Sequence, residues 1–486
     1  MTDKPEALRL ADALEELDSA FSSTGLCGEA AAELRRRLYR LDMREPIDSG
    51  TFHSVALRLL RDRALANHQT PPQVSNDRVG LLRTVLQELR LKADPGSVAG
   101  AGADIDWARA RLISPTDFSG IARLHRRRTT IPANRYGDVV SAYDQLKRRR
   151  GVLDFDDLLH EVLTAMTTDR VWAEGVRWRY RHLFVDEAQD LNPLQHAVLE
   201  SVRDGRPDLC VVGDPRQAIY GWNGADHTLL AEVQRTYPGI AVIELTTNYR
   251  CSPHVVAAGA AALRAAGQHD TSHAARPPLG TLRVESFPDP EAEATGVASV
   301  VASMLSHHAP DQVAVLCRTN EQAATLHGAL TARGIPAERS AGRSPLDRAL
   351  TVAYRCRNRD QLAEWVERAV DDTDDLTRRV AMEADRYLTS GETGTFRAWV
   401  EERLPFDDLD PGSDDGAVTV LTFHAAKGLE WKVVHLAGLE EGFVPIHHAT
   451  DADQLDEERR LLYVALTRST RQLTVVHSRD LPDAML

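Results

Sequence analysis

The chain has 486 residues, is 43% hydrophobic and carries a formal net charge of −14. This size and apolar content exclude a small or disordered protein and indicate several domains with cores of their own. No apolar run reaches the length of a membrane helix, about 18 residues, and residues 1–20 form an acidic amphipathic stretch unlike a signal peptide. The five cysteines form no CxxC pair. We therefore expect a cytoplasmic protein with reduced cysteines and without a disulfide framework or a zinc site.

Basic residues are gathered in three short clusters despite the acidic balance of the chain. They are Arg35–Arg37, Arg123–Arg128 and Lys147–Arg150. Local charge matters more than net charge where a groove binds phosphates, so each cluster is a candidate contact for nucleic acid. A solvated helix face is the plainer explanation of any one of them.

Helical spacing marks the region from Arg61 to Tyr143, which predicts an inserted helical subdomain. Its clearest apolar face ends before Pro95-Gly96 and consists of Val79, Leu82, Val85, Leu86 and Leu89. A second, more polar helical insertion is predicted from Pro345 to Asp415. There the acidic, turn-rich segment Pro405–Gly416 indicates a surface loop.

Short β-branched runs alternate with helical patterns elsewhere, which predicts α/β layers with parallel strands. The predicted strands lie in His182–Glu187, Asp208–Asp214, Val313–Arg318, Ala417–His424 and Lys432–Gly438. Each run ends in polar residues, and ligands of open α/β sheets bind at the carboxyl ends of the strands. We therefore expect the chemistry at those ends.

Two adjacent carboxylates, Asp186 and Glu187, end the first of these strands. Such a pair places one carboxylate near Mg²⁺ and lets the other orient or deprotonate an attacking water. Asp186 is then the metal ligand and Glu187 the base. An acid pair at the N-terminus of a helix has the same local sequence and is the alternative.

The next predicted strand is followed by Gln217, Tyr220 and Trp222. A glutamine beyond a strand end can hydrogen-bond a γ-phosphate. Aromatic rings in such a loop can stack on unpaired bases, at about 1–3 kcal/mol each. Ordinary core positions are the alternative for the two aromatic residues.

Two further segments carry arginines suited to phosphate contacts. In the first, Tyr249 precedes Arg250, so that the ring can lie on a purine while the guanidinium reaches phosphate oxygens. In the second, a helix is predicted with leucines inward and with Arg459, Arg460 and Arg468 available. An arginine delivered from a second domain raises phosphoryl-transfer rates by about 10³–10⁵, and Arg468 is our candidate for it.

Taken in order, these segments resemble one family, the superfamily 1 DNA helicases of the UvrD/Rep/PcrA type. The resemblance runs from about Glu29 to Ser478. Its motifs are TFHSVALRLL (Thr51–Leu60), LDFDDLL (Leu153–Leu159), LFVDEAQD (Leu183–Asp190), GDPRQAIYGWNGAD (Gly213–Asp226), NYRCSP (Asn248–Pro253), TFHAAKGLEW (Thr422–Trp431) and EERRLLYVALTRS (Glu457–Ser469). The resemblance implies an α/β fold of the P-loop NTPase type, with two RecA-like parallel-sheet domains and helical insertions.

The resemblance also implies cofactors, ATP and Mg²⁺, and a role for each candidate residue. Catalytic positions would be Glu187, Gln217, Arg250 and Arg468, and the metal position would be Asp186. Tyr249 would stack on adenine, and Glu430 would hold the nucleotide from the second domain. Positions near DNA would be Thr51, Phe52, His53, Tyr220, Trp222, Thr422 and His424.

The implied function is an ATP-dependent 3′–5′ DNA helicase or translocase, acting in repair or replication in the cytoplasm at the nucleoid. Its partners would be single-stranded DNA and junctions of single-stranded with duplex DNA. The resemblance implies a first RecA-like domain, incomplete at its N-terminal part, that consists of residues 1–60 and 144–275, with a helical insertion at 61–143. It implies a second RecA-like domain that consists of residues 276–344 and 416–486, with a shortened helical insertion at 345–415.

The chain departs from the family pattern in its phosphate loop, GxxxxGK[ST], whose N–H groups and lysine hold the phosphates. None of its lysines precedes serine or threonine; they are Lys4, Lys92, Lys147, Lys427 and Lys432. The loop would belong before Met1 or within residues 1–24. A start codon assigned too late, a frameshift and a true loss are three explanations. A true loss would leave a degenerate helicase that binds DNA or a partner without hydrolysing ATP, which is the alternative function.

Overall fold

The computed structural model describes residues 50–75, 77–264, 270–277, 280–339, 350, 352–354, 356, 358–369, 375–389, 396 and 416–478. Helices and parallel strands alternate along these residues, so the protein has a mixed α/β fold, as the sequence predicts. No helix among them is long and apolar enough to cross a membrane. The predictions for residues 1–24, 35–37 and 405–415 lie outside the described residues.

The chain divides into two compact units between Val242 and Ile243. The described helices of the first unit are α1 Phe52–Ala66, α2 Arg78–Glu88, α3 Pro95–Ala110, α4 Phe118–Leu124, α5 Tyr136–Arg150, α6 Phe155–Thr168, α7 Arg170–Arg179, α8 Pro193–Arg203, α9 Thr228–Ala231 and α10 Val233–Thr236. Its strands pair in parallel, β1 Gln73–Val74 with β2 Val152–Leu153 and β3 Leu183–Val185 with β4 Leu209–Val211.

The predicted helical region of the first unit is helical, with two differences in detail. Val79, predicted on the buried face of α2, is exposed, and Leu81 is buried in its place. The Pro95-Gly96 pair does not mark the end of a helix but opens α3, after the N-cap Asp94. Proline suits this first turn because its missing N–H would have no partner there. The predicted limits of the insertion, 60/61 and 143/144, fall inside α1 and α5.

The described helices of the second unit are α11 Pro253–Arg264, α12 Pro290–Met304, α13 Asn320–Ala332, α14 Arg359–Ala369, α15 Asp375–Thr389 and α16 Ala452–Leu466. The short strands β5 Thr247–Asn248 and β6 His273–Ala274 pair in parallel. A parallel sheet has the order β7-β12-β11-β8-β10-β9, with β7 Thr281–Ser286, β8 Val313–Cys317, β9 Ala337–Glu338, β10 Val418–Thr422, β11 Trp431–Leu436 and β12 Ser469–His477.

The five strands predicted from apolar runs are all present, as β3, β4, β8, β10 and β11. Every residue of β8 is buried, which is what a continuous apolar run indicates for a central parallel strand covered on both faces. One face of this sheet packs on α12 and α13, where Val315 and Val433 contact a core that includes Val297 and Leu326. The carboxyl ends of β8 and β10 lie side by side, since Thr422 pairs with Cys317.

Candidate functional site

The acid pair lies at the carboxyl end of β3, as the sequence predicts. Asp186 and Glu187 are both exposed, and the Glu187 N–H donates to Oδ1 of Asp186 at 2.9 Å. Glu187 has a φ of 51°, in the left-handed region that residues other than glycine rarely adopt. Such strain costs about 1–3 kcal/mol and is concentrated at functional sites. The turn therefore holds the Glu187 carboxylate in an orientation that an ordinary strand end would not give it.

Gln189 bridges this turn to the end of β4, a contact that sequence reasoning did not identify. Its Nε2 donates to Oε2 of Glu187 at 2.5 Å, and its Oε1 accepts from the N–H of Asp214 at 3.0 Å. The side chain is only 1% exposed. A Cβ at Gly213 would lie 2.4 Å from Oε1 of Gln189, so a side chain at that position would displace the bridge. The glycine before Asp214 is the sequence feature that could have indicated this close approach.

The loop after β4 places Gln217 on the same bridge. Asp214 accepts from Nε of Arg216 at 2.7 Å through one carboxylate oxygen and from Nε2 of Gln217 at 3.1 Å through the other. The contacts run from Glu187 through Gln189 and Asp214 to Gln217. The structure thus joins the predicted base to the predicted γ-phosphate sensor within the first unit.

The two aromatic residues of the same loop form an edge-to-face pair, with 6.4 Å between the ring centroids of Tyr220 and Trp222. Tyr220 is half-buried, whereas Trp222 is 58% exposed. A core position is therefore wrong for Trp222. An exposed indole on a short loop presents a face on which a base can stack.

The predicted DNA positions at the start of α1 have structural contacts of their own. Thr51 caps the helix, because its hydroxyl accepts from the N–H of Ser54 at 3.2 Å. Phe52 packs against the core cluster that includes Val185. His53 lies edge-to-face on the exposed ring of Phe155, 5.7 Å between centroids, and burial lowers its pKa, which keeps the imidazole neutral.

The LDFDDLL motif forms a buried ion network in the first unit. Asp154 and Asp157 make a capping box at the start of α6. Asp154 also lies 2.9 Å from Arg109 of α3 and 2.9 Å from Lys147 of α5. The Lys147 side chain is 4% exposed, so it is not available for the phosphate contact predicted for its cluster, whereas the next three arginines are exposed. The motif ties the three helices together.

The second unit brings Arg250 and Glu430 together, with Nε of Arg250 2.7 Å from Oε2 of Glu430. The side chain of Asn248 shapes this turn, since its Oδ1 accepts from the N–H groups of Arg250 and Cys251 at 3.0 and 2.8 Å. Tyr249 is exposed beside them. An exposed ring next to an arginine and a carboxylate suits a nucleoside with its phosphates.

Arg468 is 1% exposed, and the expectation that it and Arg460 are available is wrong. Arg468 follows the end of α16, and its Nε donates to the carbonyl of Val464 at 2.9 Å while Nη1 donates to that of Leu429 at 3.2 Å. Carbonyls of a last helical turn need donors and favour a cation, which explains why the side chain folds back. Burial also lowers the pKa of Arg460. The role predicted for Arg468 stays a prediction.

Thr422 and His424 lie at the carboxyl end of β10. The Thr422 hydroxyl accepts from the N–H of Ala425 at 3.4 Å. Burial, reinforced by the Arg318 guanidinium, lowers the pKa of His424 to about 4, so its ring is neutral at physiological pH. Arg318 itself pairs with Glu458, with Nη2 2.6 Å from Oε1. A cation and a neutral imidazole therefore lie at neighbouring strand ends.

Known proteins resemble this chain over most of its length. Residues 24–238 match the UvrD/REP helicase N-terminal domain, and residues 243–348 and 370–480 match the UvrD-like helicase C-terminal domain. The chain is 34% identical to ATP-dependent DNA helicase UvrD2 of Mycobacterium tuberculosis and of Mycobacterium bovis, over 92% of this chain and 70% of each relative. It is 26% identical to ATP-dependent DNA helicase PcrA of Leuconostoc citreum, over 93% of this chain and 74% of that relative.

Proposed function

The chain belongs to the UvrD/Rep family of DNA helicases, and we propose that it is an ATP-dependent helicase or translocase that moves 3′ to 5′ on single-stranded DNA in repair or replication. Its relatives carry the name ATP-dependent DNA helicase. The observation that carries the proposal is the bridge from Glu187 through Gln189 to the loop of Gln217. We further propose that the chain contains two RecA-like domains with helical insertions, within the limits given in the sequence analysis, in a protein of the cytoplasm and nucleoid. By those limits residues 243–275, which belong to the second compact unit, are part of the first RecA-like domain.

In this proposal the first unit supplies the hydrolytic groups. Magnesium in nucleotide sites is held by one or two carboxylates together with phosphates and water, and the exposed carboxylate of Asp186 fits that donor set. A bound nucleotide would supply the reactive phosphate, and its metal ion would polarise the phosphate oxygens. Glu187 orients and deprotonates water, Gln189 fixes its carboxylate, and Gln217 hydrogen-bonds the γ-phosphate.

The second unit supplies contacts to the nucleotide. Tyr249 stacks on the adenine, Arg250 contacts phosphate oxygens, and Glu430 holds the nucleotide. The ion pair between Arg250 and Glu430 supports a shared site for them. Arg468 serves as the second arginine, and this role requires that it exchange its carbonyl contacts for phosphate.

The DNA-binding residues belong to both units. They are Thr51, Phe52, His53, Tyr220, Trp222, Thr422 and His424. The exposure of Trp222 supports stacking on an unpaired base. Single-stranded DNA and its junctions with duplex DNA are the proposed partners.

Strand displacement tests the proposal. Duplexes with a 3′ or a 5′ single-stranded tail are incubated with ATP and Mg²⁺, and release of the labelled strand is followed. The proposal predicts release from the 3′-tailed duplex, loss of release in Glu187→Gln and no release without ATP. Equal release from both duplexes contradicts the polarity, and release that does not require ATP contradicts the motor.

A second candidate is a DNA-binding protein that does not hydrolyse ATP. It is motivated by the sequence, in which no lysine precedes serine or threonine. Tight binding of single-stranded DNA together with no ATP hydrolysis, at any DNA concentration, would favour this candidate over the motor.

A further inference from the structure

We propose that the arginine-rich segment Arg123–Arg128 and Trp222 form one continuous binding surface for single-stranded DNA. Exposed arginines contact the phosphates beside the base that stacks on Trp222. This inference rests on the proposed DNA function and extends it to a segment outside the helicase motifs.

Arg127 ties the segment to the loop of Trp222. Its Nη1 donates to the carbonyl of Trp222 at 3.3 Å, and its Nη2 donates to the carbonyl of Ala103 at 2.9 Å. The same guanidinium lies 4.8 Å from the centroid of the Trp107 ring in α3. Arg127 is therefore a structural arginine that fixes the position of its neighbours relative to Trp222.

The loop of Trp222 is also pressed directly against α3. Gly224 has a φ of 98°, and a Cβ there would lie 2.7 Å from Cβ of Ala110. Only glycine suits a position that combines this backbone conformation with so close an approach. The indole of Trp222 is consequently exposed on a loop that is held at both sides, so stacking a base on it orders little additional chain.

Arg123, Arg126 and Arg128, in the same segment as Arg127, are exposed. None of their guanidinium groups has an acidic partner or a ring contact among the residues that the structure describes. Arg126 and Arg128 are the chain neighbours of Arg127, with Cα atoms about 3.8 Å away, and an arginine side chain is long enough to reach along the strand from there. In a chain of net charge −14, three unpaired cations beside an exposed tryptophan favour a polyanion with unpaired bases as the ligand.

The other described basic cluster has a structural explanation that two arginines of this segment lack. Lys147 is committed to the ion network, and Arg148, Arg149 and Arg150 all lie in the last turn of α5, where cations offset the helix dipole. In the segment Arg123–Arg128, Arg123 has such a position at the end of α4, whereas Arg126 and Arg128 lie beyond the helix and have no such explanation. The three arginines of α5 are exposed and equal in number to those of the proposed surface. They provide a matched control that changes the net charge by the same amount.

Fluorescence anisotropy with labelled oligo(dT), without nucleotide and over a series of NaCl concentrations, tests the inference on the full chain. The variant Arg123→Ala/Arg126→Ala/Arg128→Ala is compared with Arg148→Ala/Arg149→Ala/Arg150→Ala. Each phosphate contact contributes a slope of about −0.7 in log K against log salt, so the first variant should flatten the slope by about 2 and weaken binding at 0.1 M salt by roughly tenfold to a hundredfold. The control variant should change the affinity by less than about twofold and the slope by less than the contribution of one contact, about 0.7. Trp222→Ala should weaken binding by about 5-fold to 150-fold without changing the slope.

Two results overturn the inference while the proposed function stands. One is oligo(dT) binding that is equally affected in the two triple variants. The other, with labelled blunt duplex DNA measured in the same way, is a first triple variant that loses affinity for the duplex and keeps its affinity for oligo(dT). If the unaltered chain binds no oligo(dT), the proposed DNA function itself fails together with the inference. Urea unfolding midpoints establish that the variants are folded, and Arg128→Ala alone, with an expected loss of about fivefold, repeats the test with a smaller change.

Discussion

Gln189→Glu tests the bridge between Glu187 and Asp214 by changing a single atom. The new side chain has the same shape and can still accept from the N–H of Asp214. It replaces the Nε2 donor, 2.5 Å from Oε2 of Glu187, with a carboxylate oxygen. The substitution therefore turns one hydrogen bond into a contact between two carboxylates and leaves the rest of the turn in place.

The size of the effect follows from the burial of position 189. Two unit charges about 3 Å apart repel by roughly 5 kcal/mol at an effective dielectric constant of 20. Solvent around the exposed Glu187 screens this repulsion to about half, roughly 2–3 kcal/mol. At 1.36 kcal/mol per unit, a repulsion of this size raises the pKa of the new buried carboxyl by about two units. We expect a loss of about 2–3 kcal/mol in the free energy of unfolding when both groups are ionised.

The free energy of unfolding of Gln189→Glu should depend on pH in a definite direction. A carboxyl whose pKa is raised in the folded state leaves stability intact below its unfolded value, about 4.3, and removes stability as pH rises from that value to the folded one, above which the loss stays constant. The free energy of unfolding of Gln189→Glu in urea should therefore match that of the unaltered chain at about pH 4, fall below it between about pH 4.5 and pH 6.5, and stay below it by a constant amount up to pH 8.

Gln195→Glu is the matched control, because Gln195 belongs to a capping box in which glutamate serves as well as glutamine. It should leave the free energy of unfolding unchanged or slightly higher at every pH. The contact between the Gln189 amide and Glu187 would be refuted if the free energy of unfolding of Gln189→Glu differed from that of the unaltered chain by the same amount at every pH, or did not differ at all.

Three further predictions concern single side chains. Lys147→Met removes a buried cation and should lower the free energy of unfolding, measured in urea, by about 3–5 kcal/mol. Arg148 is exposed, so Arg148→Met should change the same quantity by less than about 0.5 kcal/mol. Equal losses in the two variants would contradict the ion network. The pKa of His424 is lowered from 6.5 to about 4, so this side chain should contribute up to about 3 kcal/mol to the stability that the unaltered chain loses as pH falls from 6.5 to 4. His424→Gln should lose less stability than the unaltered chain over the same range by about that amount. Gly213→Ala should cost about 1–3 kcal/mol through its clash with Gln189, and an unchanged urea midpoint would argue against the close approach.

The strands and the acid pair were predictable because each depends on a local pattern. A continuous apolar run such as Val313–Cys317 has few alternatives to a buried parallel strand, and polar residues after such a run lie at the edge where ligands bind. Asp186 and Glu187 were identified in this way. Their backbone geometry was not, since the left-handed φ of Glu187 depends on contacts with the next strand.

Residues whose partners lie far along the chain were predicted less well. Gln189 acquires its role from Asp214, and Lys147 is buried against Asp154, the N-cap residue of α6. Arg468 was expected to be available because its sequence continues a helical pattern. The helix ends at Leu466, and the side chain returns to the terminal carbonyls. In each case tertiary contacts, which local spacing does not encode, decide the outcome.

Steady-state ATP hydrolysis by the full chain, with and without oligo(dT), tests the central proposal most directly. The comparison is with Glu187→Gln, which keeps the shape of the side chain and removes its ability to accept a proton from water. We expect oligo(dT) to raise the rate, and Glu187→Gln to lower the stimulated rate by about 10²–10⁴ while oligo(dT) affinity stays unchanged. A rate that oligo(dT) does not raise, or one that is the same in Glu187→Gln, would contradict the assignment of this strand end as the site of ATP hydrolysis.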